Sequence, residues 1–315
     1  MRVFVTGASG WIGSAVVPEL IGAGHQVLGL ARSDESAATL AEAGAEVCRG
    51  TLDDLGVLRG AAAGSDGVIH LAYKHDLMIG GDAGAAVEAD RRAIDAFGEA
   101  LAGSGRPLVI ANGTLGVTPG RILTEQDGQA SAEGSAAEGS AQSGGPATRM
   151  ANAHAAVALA EGGVRSSVVR LAPTVHGDGD YGFLPVLIGV ARERGVAGYI
   201  GDGAARWSAV HRFDAARLFR LAAESAPAGS TLHAAGDEGV PMRDIAEAIG
   251  RGLGLPTASI SPADAPAHFG WLAPTLDLDS PASSARTREL LDWRPTGPGL
   301  LDDLDKGHYF ADRPA

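Results

Sequence analysis

The 315-residue chain has one cysteine, Cys48, so no disulfide can close within it and no cysteine-based metal site can be assembled. Cations are outnumbered. The 25 Lys and Arg against 38 Asp and Glu leave a net charge of −13, which offers no basic face to nucleic acid or to an anionic membrane surface. No apolar stretch approaches the roughly 18 residues needed to span a bilayer. The run Val3–Phe4–Val5 is cut by a glycine turn before it could serve as a secretory signal, and the expected setting is the cytoplasm. The chain also lacks His-Glu-x-x-His, paired cysteines and Gly-x-Ser-x-Gly, so neither a metal nor a serine nucleophile is expected.

What is present reads as a globular α/β protein. Hydrophobic residues make up 45% and charged residues 20%, which is enough to bury a core and too apolar for disorder. Strands are expected over Arg2–Val5, Gln26–Ala31, Ala45–Cys48, Gly67–Leu71, Leu108–Ala111 and Ser166–Leu171. Several are apolar on both faces, as strands of a helix-covered parallel sheet must be. Helices are expected near Trp11–Ala23, Glu35–Ala43, Leu55–Ala62, Ala83–Ala102 and Asn152–Glu161. In the first of these, Ile12, Val16 and Leu20 share one face, although Pro18 removes a helix hydrogen bond. Cys48 is expected to be plain core.

This alternation predicts a Rossmann-type doubly wound parallel sheet over residues 1–175, followed by a smaller substrate-binding domain over 176–315. A segment near 205–235 is expected to return to the first unit. Thr124–Thr148, rich in Gly, Ala and Ser without apolar periodicity, reads as a long loop, either a tolerated insertion or a lid.

The strongest motif is Thr6-Gly7-Ala8-Ser9-Gly10-Trp11-Ile12-Gly13, set between a strand and an amphipathic helix. Gly7 permits the tight turn, Gly10 lets backbone approach a diphosphate, and Gly13 lets the helix pack on the strand. Free N–H groups at the helix start then face the anion. Gly7, Ser9, Gly10, Trp11, Ile12 and Gly13 are therefore candidate cofactor contacts. At the end of the second strand, where NAD sites place an acid, the sequence reads Ala31-Arg32-Ser33-Asp34. Arg32 can fork onto a 2′-phosphate with Ser33 helping, which favours NADP(H) over NAD(H), while Asp34 could still serve a ribose.

With these motifs the chain resembles the extended and atypical short-chain dehydrogenase/reductases, in their NAD-dependent epimerase/dehydratase branch. The likeness also rests on Val68-Ile69-His70-Leu71-Ala72, Val169-Arg170-Leu171-Ala172-Pro173-Thr174-Val175-His176-Gly177, Val210-His211-Arg212-Phe213-Asp214 and Asp292-Trp293-Arg294-Pro295. It implies cofactor contacts at Leu52, Leu71, Ala72, Tyr73, Pro173, Thr174 and Val175. It also implies a catalytic Ser/Thr, Tyr and Lys, the last two as Tyr-x-x-x-Lys. That pair is missing. The matching helix offers Arg149 and Ala153, or with a shift of one residue Met150 and His154, and no tyrosine lies between Tyr73 and Tyr181.

Thr114 is the candidate carbonyl-binding hydroxyl. His176 and Tyr73 are the candidate proton donors, with Lys74 beside the phenol, and Arg149 is a candidate oxyanion holder. The leading expectation is an NADP(H)-dependent oxidoreductase of a small carbonyl or alcohol. Two rivals stay open, a non-redox cyclase, dehydratase or isomerase on the same fold, and a dinucleotide-reading redox sensor. A homodimer is an open expectation.

Overall fold

The computed structural model describes residues 1–128 and 146–311. Its strands, in chain order, are β1 (Arg2–Thr6), β2 (Gln26–Ala31), β3 (Glu46–Arg49), β4 (Gly67–His70), β5 (Pro107–Gly113), β6 (Arg165–Leu171), β7 (Thr174–His176), β8 (Ala197–Ile200), β9 (Arg206–His211), β10 (Ser230–Ala234), β11 (Asp237–Pro241) and β12 (Thr257–Ile260). Seven of them form one sheet in the order β10-β6-β5-β4-β1-β2-β3, and every neighbouring pair is parallel. Strand order reverses at β1, which has β2 on one side and β4 on the other. The crevice beyond the carboxyl ends of β1 and β4 is thus the topological switch point at which open α/β sheets bind ligands.

Side-chain alternation in β1 explains the two faces. Val3 and Val5 enter a core with Val16 and Leu20 of helix Gly13–Gly22 and Phe219 of helix Arg212–Ser225. Phe4 enters the opposite core, with Leu58, Ile94 and Phe97. Pro18 sits within the first helix with its ring exposed. The position survives because the lost N–H is one bond in a helix held by its buried face.

Three features of this half differ from expectation. β3 is an edge strand, so Val47 is exposed and Cys48 only half-buried; the sequence cannot show that no further strand among the described residues pairs with its outer side. The helix expected from Asn152 begins at Pro146 and ends in a 3₁₀ turn over Leu159–Gly162. The start of the expected Thr124–Thr148 loop is pinned. Buried Glu125 accepts from the Thr287 N–H and hydroxyl, both at 2.8 Å, and Arg170 donates to the Asp127 carbonyl at 2.7 Å. Residues 129–145 of that stretch lie outside the described residues.

The rest of the chain builds onto the sheet. β10 pairs with β6 and supplies the seventh strand. Sheets β11-β9-β7 and β12-β8 pack with helices Phe183–Arg194, Met242–Leu253 and Leu300–Asp305 around a separate core that includes Leu187, Trp207, Ile245, Phe269 and Leu300.

Candidate active site

The glycine turn leaves β1 at the switch point. Gly7 has φ +66°, and a Cβ there would stand 2.7 Å from the Ala72 backbone nitrogen. Only glycine fits, because the conformation is left-handed and the end of β4 lies against it. A Cβ on Gly13 would stand 2.1 Å from the Gly7 carbonyl oxygen, so the helix can start this close to the turn only without a side chain. The Gly10 N–H bonds the Gly7 carbonyl at 3.0 Å, which tightens the loop. Ser9 is exposed, and Ile12, the residue before the helix, is half-buried. The Trp11 indole N–H donates to the Val175 carbonyl at 2.8 Å. Two cofactor candidates far apart in sequence thereby meet at one place.

At the end of β2, Arg32 is exposed and makes no hydrogen bond or ion pair with any described residue. Ser33 caps helix Asp34–Glu42 through a reciprocal box with Ser36. Arg49 pairs with the Asp34 carboxylate. Leu52 is buried in the same core as Leu28 and Leu30, which makes it a wall rather than a tip. Leu71 and Ala72 are half-buried at the end of β4.

Tyr73 follows directly, and its ring lies under the Arg149 guanidinium, 4.2 Å from carbon to ring centroid. Burial raises the Tyr73 phenol above its usual range, and Arg149 pulls it back. The cation beside the phenol is therefore Arg149. Lys74, the neighbour that sequence alone suggested, turns away to Asp53 at 2.6 Å. Arg149 is in turn positioned by Asn112 at the end of β5, whose amide donates to the Arg149 carbonyl at 3.1 Å.

Beneath this pair runs a buried polar chain. The Thr6 hydroxyl accepts from the Ala72 N–H at 3.3 Å and bonds His70 Nδ1 at 2.6 Å. His70 Nε2 meets Asp90 at 3.2 Å, and Asn152 donates to Asp90 at 2.7 Å. Burial works to raise the Asp90 carboxyl, but the bonds from His70 and Asn152 hold it below the usual range.

Thr114 is buried. Its hydroxyl donates to the Leu171 carbonyl at 3.3 Å and lies 3.4 Å from the Ser208 hydroxyl. His176 is fully buried, with Nδ1 2.9 Å from Asp303 and its ring edge-on to His211 at 5.5 Å. His154, the alternative on the helix, bonds the Gly128 carbonyl. Pro173 is half-buried, and Thr174 is buried with no partner for its hydroxyl among the described residues. The structure thus joins Tyr73 with Arg149 and Trp11 with Val175, while His176 is held inside the second half of the chain.

The profile of the NAD dependent epimerase/dehydratase family matches residues 3–234. The chain belongs to that family. This family member is 44% identical over 311 residues to an uncharacterized protein of Schizosaccharomyces pombe, covering 98% of the chain and 100% of the relative. It is 27% identical over 303 residues to a 4-hydroxy-2-methyl-3-oxo-4-farnesyl-3,4-dihydroquinoline-1-oxide ketoreductase of Stigmatella aurantiaca, covering 90% of the chain and 84% of the relative. Among solved structures it resembles a dTDP-glucose 4,6-dehydratase double mutant from Streptomyces venezuelae with NAD bound. The TM-score there is 0.74 at 21% identity, over 98% of this chain and 96% of that one.

Several residues of this epimerase/dehydratase-family protein were not marked as site residues by its sequence. Asp90 reads as an exposed helix acid, yet it is buried on His70. Asp303 reads as one of a helical acidic run, yet it is the buried partner of His176. Tyr181 and Arg212 meet the glycine turn from more than 160 residues away, through the bonds from the Trp11 N–H to the Tyr181 hydroxyl (2.9 Å) and from Arg212 to the Ser14 hydroxyl (3.0 Å). Among the described residues, no group of three or more His, Cys, Asp or Glu could hold a metal ion, and no helix is long and apolar enough to cross a membrane.

Proposed function

We propose that this family member is an NADP(H)-dependent oxidoreductase acting on a small carbonyl or alcohol substrate, with Tyr73 as its proton-transfer group. The observation that carries the reading is the Tyr73 ring beneath the Arg149 guanidinium, next to the glycine turn. The family's tyrosine and cation functions are thus supplied from two elements, the end of β4 and helix Pro146–Ala158.

The cradle fits a dinucleotide, because Gly7 and Gly13 have backbone where a Cβ would stand, so the helix start is drawn in close against the ends of β1 and β4. Gly7, Ser9, Gly10, Trp11, Ile12 and Gly13 would hold its diphosphate side, and Leu71, Ala72, Pro173, Thr174 and Val175 its nicotinamide side. Leu52 would bound the adenine side. Arg32, uncommitted, and Ser33, at a helix start, favour a 2′-phosphate, while Arg49 offsets Asp34, one of the two acids in that helix's first turn. When bound, the reduced nicotinamide supplies hydride.

The protein's own residues do the rest. A phenol whose pKa burial has raised stays protonated at neutral pH and can donate to a substrate oxygen. As the phenolate forms, Arg149 stabilises its charge. The Thr114 hydroxyl, turned from Leu171, would bond the same substrate oxygen. His176 is assigned no proton transfer, because it is fully buried and committed to Asp303. A distant likeness to a ketoreductase agrees with carbonyl reduction.

The test is turnover. Purified protein with NADPH and a panel of aldehydes, ketones and quinones should consume the reduced cofactor's absorbance, and Tyr73→Phe should lower kcat by roughly 100-fold or more. Wild-type turnover by Tyr73→Phe would sink the assignment. Substrate conversion without cofactor consumption would replace it with non-redox chemistry.

A further inference from the structure

We infer that Arg212 and Tyr181, both from the second half of the chain, form the outer wall of the diphosphate subsite, with the Tyr181 hydroxyl standing where a diphosphate oxygen belongs. This rests on the reading that the glycine turn takes a dinucleotide.

The Trp11 N–H is one of the donors at the start of helix Gly13–Gly22, where backbone groups have no partner within the helix. It is bonded by the Tyr181 hydroxyl at 2.9 Å, and the two rings stand edge-to-face with centroids 5.8 Å apart. Tyr181 is otherwise 66% exposed, so little packing holds it there. A neutral phenol oxygen is a weaker acceptor for that N–H than an anionic phosphate oxygen, and the helix dipole favours the anion further.

Arg212 supplies the matching cation. Its guanidinium carbon lies 4.0 Å from the centroid of the Trp11 ring and 5.4 Å from that of Phe213. It donates to the Ser14 hydroxyl at 3.0 Å and to the Asp178 carbonyl at 3.3 Å. Neither acceptor is charged, and the Arg212 Nε is buried with no partner among the described residues. Burial lowers the Arg212 pKa, while Tyr181, Asp178 and Asp180 act to raise it at longer range. The Asp180 carboxylate is meanwhile occupied by the Tyr309 hydroxyl at 3.0 Å and the Gly182 N–H at 2.6 Å. A half-buried guanidinium with a spare N–H, stacked on the first residues of an anion-binding helix, is suited to a phosphate. Binding would swap the phenol for a phosphate oxygen on Trp11 and add an Arg212 N–H that is not committed to Ser14 or Asp178.

The experiment is calorimetric titration with NADPH, NADH and ADP-ribose, which share a diphosphate and differ in the 2′-phosphate and nicotinamide. Thermal unfolding of each ligand-free variant is measured alongside. Arg212→Met is expected to weaken all three by a similar factor of about 10–100, and Arg212→Lys by less. Tyr181→Phe, an exposed change that leaves folding alone, is expected to tighten all three severalfold, because nothing then competes for the Trp11 N–H. If the wild type binds these ligands and Tyr181→Phe leaves their affinities unchanged or weaker, the inference fails while the dinucleotide reading stands. It fails equally if folded Arg212 variants bind as the wild type does. If the wild type binds none of the three, the dinucleotide reading itself is overturned, and this inference with it.

Discussion

The Arg149 guanidinium carbon stands 4.2 Å from the centroid of the Tyr73 ring, a cation over a phenol at the mouth of a dinucleotide fold. The contact joins the end of β4 to helix Pro146–Ala158, and it fixes the sign of an electrostatic effect. A nearby positive charge favours phenolate. Removing it with Arg149→Met should raise the Tyr73 pKa still further above its usual value. In the oxidation direction the base is the phenolate, so the rising limb of rate against pH should move to higher pH in the variant. A limb that stays in place would mean Arg149 does not act on Tyr73.

Cofactor choice should follow Arg32. Arg32→Ala is expected to weaken NADPH by about one to two decades, the scale of one charge-assisted contact, and to leave NADH within about twofold. Equal losses for both would show that Arg32 does not read a 2′-phosphate.

The turn glycines tolerate nothing larger. Gly13→Ala would drive a methyl into the Gly7 carbonyl, and Gly7→Ala combines a left-handed φ with a clash on Ala72. Each should cost at least about 1–3 kcal/mol of stability, read as a lowered Tm without ligand. Gly22→Ala, whose Cβ meets nothing within 4 Å, serves as the control and should leave the Tm unchanged or raised.

Stability should fall in mild acid through His233. This residue is fully buried in β10, Nδ1 bonds the Ser283 carbonyl at 2.8 Å, and Nε2 has no partner among the described residues. Burial pushes its pKa down to about 4, partly offset by Glu125. The unfolded chain, with an ordinary value near 6.5, binds the proton more readily. Stability contributed by neutral His233 is therefore complete above about pH 6.5 and is lost as pH falls towards 4, at up to about 1.4 kcal/mol per pH unit. Denaturant melts between pH 7 and 4.5 should show this slope, and His233→Gln should flatten it. An unchanged slope in the variant would assign the acid sensitivity elsewhere.

The parts of the molecule legible in sequence are those governed by neighbours in the chain. Strand–helix alternation located β1 to β6, because the change from short β-branched runs to helical periodicity is a local feature of the chain. The Gly7–Gly13 spacing located the turn, because the backbone constraint is local. Cys48 was misplaced in the core because strand composition does not say which strand lies at the sheet edge. Lys74, the sequence neighbour noted beside the phenol, does not meet its ring for a similar reason. Adjacent side chains at the end of a strand diverge, and the cation that meets the phenol arrives from a helix some 75 residues later. Nothing near Tyr181 or Arg212 in the chain announces that they cover the glycine turn.

The seventh strand has a consequence for synthesis. β6 ends at Leu171, but its outer neighbour β10 is not complete until Ala234. A chain emerging from the ribosome therefore carries, for more than sixty residues, a nearly finished parallel sheet whose β6 edge is bare and rich in Val and Ser. Such an edge is a template for pairing with another strand. Nascent chains stalled or truncated between these two points should aggregate more readily than either shorter or full-length products, and overproduction should be limited by that interval rather than by the stability of the finished fold.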